Sequence, residues 1–483
     1  MRYSNMGSKY ISRAIVLLSL LFVSTTTMAQ TREQQKTDSV YQLIKKQFNA
    51  KNADSLYTLA GAALKKDLII ETFRNICNNN LFPLGKITGE TLISFQNNKI
   101  ATYKLTFNTS DPFNLLMSLD DEDKLQLFLF KPYQPPVGNK MEEVPSSNPL
   151  KTDIDKKVDA PARAYIQKSN TVGLSIGVYK DGRISTYGYG ETARDNNKIP
   201  TANSIFEIGS VTKTFTSVLL AYYVDEGPVK LTDPITRYLP DSVSANPNLK
   251  GITLEMLANH TSGLPRLPED FFSHATDALN PYRDYTKKFM FSYLKTCKPA
   301  TKPGEQYNYS NFAAGLLGEI LAHISGKTYE QLVTEIITKP LLMNSTVQYI
   351  TPLLKPRLVT VYNEAGNQTP AWDWDVLAPA GALRSTVNNM LIYAKANMTT
   401  APTRLSKAMA LTHQITYNKD TKVGLAWHII VVNDVEYYFH DGGTGGSSTF
   451  LAFNIEKNIA VVLLSNSAES TYAAGVDILK QLQ

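Results

Sequence analysis

Ser210 and Lys213 lie three residues apart in Ile208-Gly209-Ser210-Val211-Thr212-Lys213-Thr214-Phe215, where a helical pattern begins. A serine hydroxyl is a poor nucleophile until a nearby base takes its proton, and a lysine that is desolvated and held among other cations can act as that base. A separation of three on a helix places both side chains on one face, one turn apart. Ser210 falls in the first turn, where unpaired backbone N–H groups and the positive end of the helix dipole favour negative charge on or near its oxygen. The two residues are therefore a candidate nucleophile and base. The same short pattern also describes a helix cap followed by a solvated lysine, so support must come from elsewhere in the chain.

Two other places offer such support. Pro303-Gly304-Glu305-Gln306-Tyr307-Asn308-Tyr309-Ser310-Asn311 precedes an amphipathic helix with Phe312, Leu316, Leu317, Ile320, Leu321 and Ile324 inward and Gly326 as its stop. Tyr309 and Asn311 thus sit at a turn into a helix, where side chains can point into a cleft; a core tyrosine bonded to backbone is the other reading of Tyr309. His440-Asp441-Gly442-Gly443 opens a glycine-rich segment that runs to Gly446, and glycines there let a substrate backbone come close. Two motif matches fail on context. Ser175 in Gly173-Leu174-Ser175-Ile176-Gly177 lies within a strand that continues to a hairpin turn, whereas a nucleophile elbow needs a strand, a sharp turn and a helix. Gly188-Tyr189-Gly190-Glu191-Thr192-Ala193 is followed by Arg194-Asp195-Asn196-Asn197 and Pro200, with no helix to hold a pyrophosphate.

The elements that must position these residues belong to the second of two domains. Apolar residues at Val211, Phe215, Val218, Leu219 and Tyr222 predict a helix with one buried face, ended at Gly227-Pro228. Val172–Tyr179 and Arg183–Tyr189 predict a hairpin turning at Lys180-Asp181-Gly182, and Gly424–Val432 with Val435–His440 a second one. Strands Ser448–Ile455 and Ile459–Leu464 and a last helix from about Thr471 complete one antiparallel sheet built from both ends of the domain. Ahead of it, Thr37 to about Asn80 is helical, with Val40, Leu43, Ile44, Leu68, Ile69, Phe73 and Ile76 among its apolar positions. Four strands near Thr91–Phe95, Ile100–Phe107, Phe113–Leu119 and Lys124–Phe130 then form a meander. This small α+β region resembles nuclear-transport-factor-2-like or cystatin-like accessory domains in the order of its elements.

The boundaries that follow are a signal peptide over 1–29, the α+β domain over 30–131, a proline-rich linker over 132–151 and a second domain over 152–483. Lys9 and Arg13 precede the apolar run Ala14–Val23, and Thr27-Met28-Ala29 offers a cleavage site before Gln30, so the expected location is the periplasm or outside the cell. The run is too short for a good membrane span, and no later stretch is long enough, so no span is expected in the mature chain. Three of the charges behind the formal net of +6, namely Arg2, Lys9 and Arg13, precede Gln30 with no acidic residue among them, and the balance left does not suggest a nucleic-acid partner. Cys77 and Cys297 exclude a disulfide scaffold and leave a single bridge open. None of the six histidines forms a His-Glu-x-x-His or clustered Cys/His pattern, so neither a metal nor a cofactor is expected.

Taken together, Ser210-Val211-Thr212-Lys213, Tyr309-Ser310-Asn311 and His440-Asp441-Gly442-Gly443 resemble the Ser-x-x-Lys, Tyr-x-Asn and Lys-Thr-Gly signature of class C β-lactamases, penicillin-binding DD-peptidases and related esterases. Leu257–Pro265, Pro303–Asn311 and Pro379–Thr386 are similar to family segments, and the likeness runs from about Asp153 to the C-terminus. The resemblance implies a β-lactamase/transpeptidase-like α/β (α+β) fold: an antiparallel sheet flanked by helices, a mostly helical region, and a site at their junction. It implies acyl transfer, with Ser210 attacking a carbonyl while Lys213 and Tyr309 manage protons. Asn311 would hold Lys213 and a substrate amide, and the backbone N–H groups of Ser210 and Gly443, with Gly442 and His440 beside them, would form the oxyanion and substrate-binding edge. His440 stands where the family has lysine and Asp441 where it has a hydroxyl. A histidine only partly charged near neutrality, next to an aspartate, disfavours a substrate carboxylate there. The expectation is an ester, an amide or a D-amino-acid peptide as substrate, peptidoglycan-derived compounds included, with weak β-lactamase activity at most. The competing reading is a non-catalytic sensor of cell-wall fragments or β-lactams.

Overall fold

The computed structural model describes residues 32–96, 100–133, 144–277 and 279–483. The expected signal peptide, the turn at Asn97-Asn98 and half of the expected linker, residues 134–143, lie outside them. The chain divides into two units, residues 1–133 and 134–483.

In the first unit, helices Arg32–Asn49 (α1), Ala53–Thr58 (α2), Ala62–Asp67 (α3) and Ile70–Ile76 (α4) precede strands Ile87–Gln96 (β1), Ile100–Phe107 (β2), Phe113–Leu119 (β3) and Leu125–Pro132 (β4), paired antiparallel in the order β1-β2-β3-β4. The α+β order expected of this region is thus present. The buried stripe of α1 differs from the expected one. Tyr41, Ile44 and Phe48 are buried and Leu43 is exposed, as is Ile69, because a tyrosine and a phenylalanine cover the sheet with more area than the aliphatic residues beside them. Tyr41 stacks on Tyr103 of β2 with ring centroids 4.3 Å apart.

The second unit is built on an eight-stranded antiparallel sheet to which both ends of the domain contribute. After helix Asp153–Ile166 (α5) come Gly173–Lys180 (β5) and Arg183–Gly190 (β6). The C-terminal part supplies His428–Val432 (β7), Val435–Gly443 (β8), Ser448–Asn454 (β9) and Ile459–Ser465 (β10), then helix Tyr472–Leu482. From β7 onward the spatial order is β7-β8-β9-β10-β5-β6, and two-residue strands at Tyr417–Asn418 and Lys422–Val423 extend it beyond β7. Alternation decides which side chains go where. Leu174, Ile176, Val461 and Leu463 pack with Val158, Ala162 and Ile478 of the two terminal helices, whereas Ala460, Val462 and Leu464 face the helical region.

Residues expected to be linker take part in this sheet. The Ser147 amide donates to Gly188 O at 2.9 Å and the Gly190 amide to Pro145 O at 2.8 Å, so 144–149 is an extended segment laid along β6. The prolines that mark it as a linker also suit an edge, where no ladder donor is required of them. Cys77 and Cys297 are each buried with a free thiol. No helix among the described residues is long and apolar enough to cross a membrane.

Helix Thr212–Glu226 (α6) departs furthest from expectation. Its predicted polar side is buried too: Thr212, Thr214, Thr216 and Ser217 are all inside, while Tyr222 is only partly so. The hydroxyls of the three threonines make this possible because each has a partner. Thr214 Oγ donates to Val211 O at 2.8 Å, Thr216 Oγ to Pro379 O at 2.7 Å, and Thr212 Oγ accepts the Leu383 amide at 3.2 Å. A side chain that bonds its own turn or a neighbour reads as polar in sequence yet carries little desolvation cost. Gly227 ends the helix in the left-handed conformation, φ +102°.

Buried neutral histidines give the domain a pH-dependent stability. His413 is 7% exposed, meets Asn397 Oδ1 through Nε2 at 3.0 Å, and is held by burial at a pKa of about 4 against the usual 6.5. Between those values the unfolded chain binds a proton that the native chain does not. The contribution is therefore whole above about pH 6.5 and is lost as pH falls towards about 4. Melting curves across this window should show Tm falling with pH, and His413→Gln, which keeps an amide for Asn397, should flatten that dependence by at most roughly 3 kcal/mol in total. An unchanged slope in the variant would contradict the assignment.

Candidate active site

The Ser210 backbone forms a single 3-10 turn, Gly209–Val211, that runs directly into α6. Lys213, in the first turn of α6 proper, is 2% exposed, and its Nζ has three oxygen neighbours: Ser210 Oγ at 2.9 Å, Asn311 Oδ1 at 2.8 Å and Ala380 O at 2.7 Å. Burial holds the Lys213 pKa well below its ordinary 10.5, the Arg266 charge lowers it further, and Asp441 acts in the opposite sense. An amide oxygen and a backbone carbonyl can only accept, so a neutral amine gives them its two hydrogens and turns its lone pair to the Ser210 hydroxyl. The lowered pKa favours the uncharged amine, and the 2.9 Å contact puts it within proton-transfer reach of the serine hydroxyl.

Asn311 is the first residue of helix Asn311–Ser325 (α7), which Ser310 caps by accepting the Ala313 amide at 2.8 Å. Its Nδ2 donates to Tyr282 Oη at 3.0 Å, which fixes Oδ1 towards Lys213. Ala380 ends a short turn, Ala378–Ala380, whose consecutive carbonyls at 379 and 380 both point at α6, one to Thr216 and one to Lys213. Tyr309 places its ring 4.8 Å from Lys213 Nζ. Burial raises the Tyr309 pKa, only partly offset by its hydrogen bond with Ser210 and by the Arg266 charge, so the phenol keeps its proton. The tyrosine is a proton donor in this state rather than a phenolate base.

The glycine-rich segment begins as the end of β8, which pairs Gly442 with Thr449 and Gly443 with Ser448. A Cβ on residue 442 would lie 2.1 Å from Ile208 O and 3.0 Å from Ser210 N, and one on Gly209, at φ +48°, 2.7 Å from Gly443 N. Only glycine permits this closeness, which brings the Gly443 and Ser210 amides to one edge of the cleft. His440 is buried on the face opposite the exposed Asp441, with Nδ1 2.6 Å from Asp441 O. A carbonyl partner assigns the proton to Nδ1 and leaves Nε2 as a buried acceptor without a protein partner. Burial and the charges of His428 and Lys213 hold the imidazole pKa well below 6.5. His440 is therefore neutral at pH 7, further from a lysine than the partial charge expected of it.

All the sequence-predicted residues, Ser210, Lys213, Tyr309, Asn311, His440, Gly442 and Gly443, converge on one crevice. Others went unnoticed. Ala380 contributes only a carbonyl, which no side-chain pattern announces. Tyr282 acts through Asn311, and the loop around it carries no motif. His260, in the left-handed conformation at φ +62°, accepts the Ser310 amide at 3.2 Å on Nδ1 and lies 4.4 Å from the Tyr309 ring. Arg266 holds its guanidinium 5.1 Å from the other residues' shared neighbour, the Tyr309 ring. The run Asn259-His260-Thr261-Ser262-Gly263 was a visible signal for the segment, though not for these roles. Among the described residues no cluster of His, Cys, Asp or Glu could hold a metal ion.

Known proteins share this arrangement of chain. A family model described as Beta-lactamase matches residues 158–482. A Beta-lactamase of Pseudomonas fluorescens is 28% identical over 351 residues, covering 65% of this chain and 94% of the relative. The D-alanyl-D-alanine-carboxypeptidase/endopeptidase AmpH of Escherichia coli K12 is 32% identical over 329 residues, covering 64% of this chain and 83% of the relative. The crystal structure of a Beta-lactamase/D-alanine carboxypeptidase from Pseudomonas syringae superposes with a TM-score of 0.61 at 21% identity, covering 68% of this chain and 98% of that one, and shows the fold.

Two substitutions test the geometry. Asn311→Asp puts a carboxylate where an amide oxygen now lies 2.8 Å from Lys213 Nζ. It favours the ammonium, raises the Lys213 pKa and removes the base at neutral pH. The acidic limb of the pH–rate profile should move upward and kcat/KM at pH 7 fall by about 100-fold or more; a limb at or below that of the wild type would contradict a neutral Lys213. Gly442→Ala should push β8 off the Ser210 turn, lowering turnover by about 100-fold with far-UV circular dichroism unchanged, as loss of one oxyanion donor would.

Proposed function

Because the chain belongs to the Beta-lactamase family of serine hydrolases, we propose that it is an exported enzyme that cleaves esters, amides or D-amino-acid peptides through an acyl-enzyme on Ser210. The observation that carries this reading is the placement of the Lys213 amine, 2.9 Å from Ser210 Oγ with Asn311 Oδ1 and Ala380 O as its other oxygen neighbours, where burial lowers its pKa and so favours the neutral base. Ser210 Oγ attacks the substrate carbonyl as its proton passes to Lys213. The oxyanion is held by the Ser210 and Gly443 amides, a contribution of about 3 kcal/mol per donor in comparable enzymes. Tyr309, protonated by virtue of its burial, delivers a proton to the leaving group and is reprotonated from Lys213. A water then attacks the acyl carbonyl, and its proton passes by way of Tyr309 and Lys213 to Ser210 Oγ as the bond to the serine breaks, which releases the acid and restores the neutral amine. No metal or cofactor has a part in this sequence.

The wall formed by β8 supports the substrate preference. His440 is neutral and its unpartnered acceptor nitrogen is buried, so this wall offers a carboxylate no positive charge. Cephalosporins and penicillins carry a carboxylate, so weak β-lactamase activity follows. D-alanyl-D-alanine cleavage, named for the Escherichia coli relative, falls within the substrate class provided its terminal carboxylate lies away from His440. The leader over 1–29, with its basic start, apolar run and small-residue end, supports a periplasmic or secreted location.

A fluorophosphonate or fluorescent penicillin should label the wild type and leave Ser210→Ala unlabelled. p-Nitrophenyl acetate should be turned over, with a loss of about 10⁴-fold or more in that variant. Labelling without turnover would favour the sensor reading, and nitrocefin hydrolysis as efficient as that of a resistance enzyme would overturn the preference argued from His440.

A further inference from the structure

With the His440 pKa held well below 6.5 by burial, a fixed positive charge beside the Tyr309 ring belongs to a residue outside the signature motifs. Arg266 lies on the segment that follows helix Leu254–Ala258, and its backbone carbonyl accepts the amides of Asn311 at 3.0 Å and Phe312 at 3.2 Å. That bond ties Arg266 to the start of α7, and so to the residue that orients Lys213. The side chain is exposed, with the guanidinium over the Tyr309 ring at 5.1 Å. Stacking on a ring uses the face of a guanidinium and leaves its N–H edges free for a second partner.

Those edges have no acidic partner among the described residues. The acid four positions on, Asp270, is taken by Tyr285 at 3.1 Å and by His274 at 3.2 Å. Arg266 is near enough for its charge to act on Lys213, Tyr309, Tyr282 and Asp441, and its ring contact puts it beside the tyrosine that lies over Lys213. On β8, His440 and Asp441 leave the strand on opposite faces and neither supplies a positive charge, and the Asp441 carboxyl lies within range of the Arg266 charge with no ion pair between them among the described residues. A planar cation with two parallel N–H donors is suited to a carboxylate.

We propose that Arg266 is the specificity residue of this enzyme, binding a substrate carboxylate from the α7 side of the crevice, opposite the strand that carries His440. The inference rests on the hydrolase reading above. The carboxylate can belong to the leaving group or to the acyl group, and matched substrates separate the two. N-acetyl-D-alanyl-D-alanine and its C-terminal amide differ by a carboxylate on the leaving group; p-nitrophenyl hydrogen glutarate and p-nitrophenyl glutaramate differ by one on the acyl group.

In at least one pair the wild type should prefer the acid by about 10- to 100-fold in kcat/KM, carried mainly by KM. Arg266→Gln should bring that ratio to within about twofold, and Arg266→Lys, which keeps the charge without the fork, should retain part of it. The pair whose ratio collapses identifies where the carboxylate sits. A wild type without preference in either pair would overturn the proposal, as would a preference that survives in Arg266→Gln. So would a fall common to acids and amides that leaves the ratios intact, since an effect through Lys213 or through folding predicts it. The ratio is internal to each preparation, so partial misfolding does not imitate the expected result. Failure of the hydrolase reading looks different: wild type that neither turns over p-nitrophenyl acetate nor takes a fluorophosphonate at Ser210.

Discussion

A primary amine buried as deeply as Lys213 is the constraint on which the rest of this domain depends. Uncharged, it still carries two hydrogens and a lone pair, and each must find a partner in a place water does not reach. Asn311 Oδ1 and Ala380 O take the hydrogens, at 2.8 Å and 2.7 Å. Those two acceptors come from residues about 70 positions apart in sequence, so α7 and the Ala378–Ala380 turn must both be docked on α6 before the lone pair is aimed at Ser210. The catalytic geometry is in this sense a by-product of satisfying one polar group. Removing either acceptor harms the base by leaving its amine free to rotate, not merely by deleting a contact.

The same requirement explains why α6 is buried all round. A helix that delivers an amine to the junction of the sheet and the helical region cannot keep a solvent face. Its threonines answer this by bonding to Val211 O, Pro379 O and the Leu383 amide. Phe215 fills the space between them, stacked on Tyr393 with centroids 4.0 Å apart. On the other side of the nucleophile the constraint is steric. The Ser210 turn and the end of β8 approach so closely that residue 442 has no room for a Cβ. One wall is set by hydrogen bonds and the other by absence of side chains.

These two kinds of constraint differ in how far sequence reveals them. Steric ones left a plain mark: glycines at 442 and 443 after a strand point to the strand edge, and a serine and a lysine at helical spacing, read together with Tyr309 and Asn311, point to a candidate nucleophile and base that the fold brings together. Helix ends were equally legible, since Ser310 and Gly326 are what caps of α7 require. Partners supplied by backbone were not legible. Nothing about an alanine at 380 says that its carbonyl holds a lysine, and three threonines on α6 looked like a surface. Burial also changed the meaning of residues correctly found. His440 was expected to be partly charged and Tyr309 was left between cleft and core, and the structure makes the first a neutral acceptor and the second a retained phenol. In the first unit, amphipathic spacing put Leu43 inside, whereas the sheet it faces is covered by Tyr41 and Phe48.

The replacement of a lysine by His440 bears on the base as well as on the substrate. A neutral Lys213 is kept so first by desolvation and next by a neighbouring cation, and in this chain that cation is Arg266. An ammonium at position 440 would stand on the strand wall and act on Lys213 in the same sense; an imidazole that burial keeps neutral cannot. With the strand cation gone, the electrostatic support of the base passes to the opposite wall. A guanidinium fits that task because it stays charged at any pH the enzyme meets, and over the Tyr309 ring it is also the charge nearest the phenol that must hold its proton. The exchange therefore leaves the proton chemistry of Ser210, Lys213 and Tyr309 intact while it moves the positive end of the crevice from β8 to the start of α7.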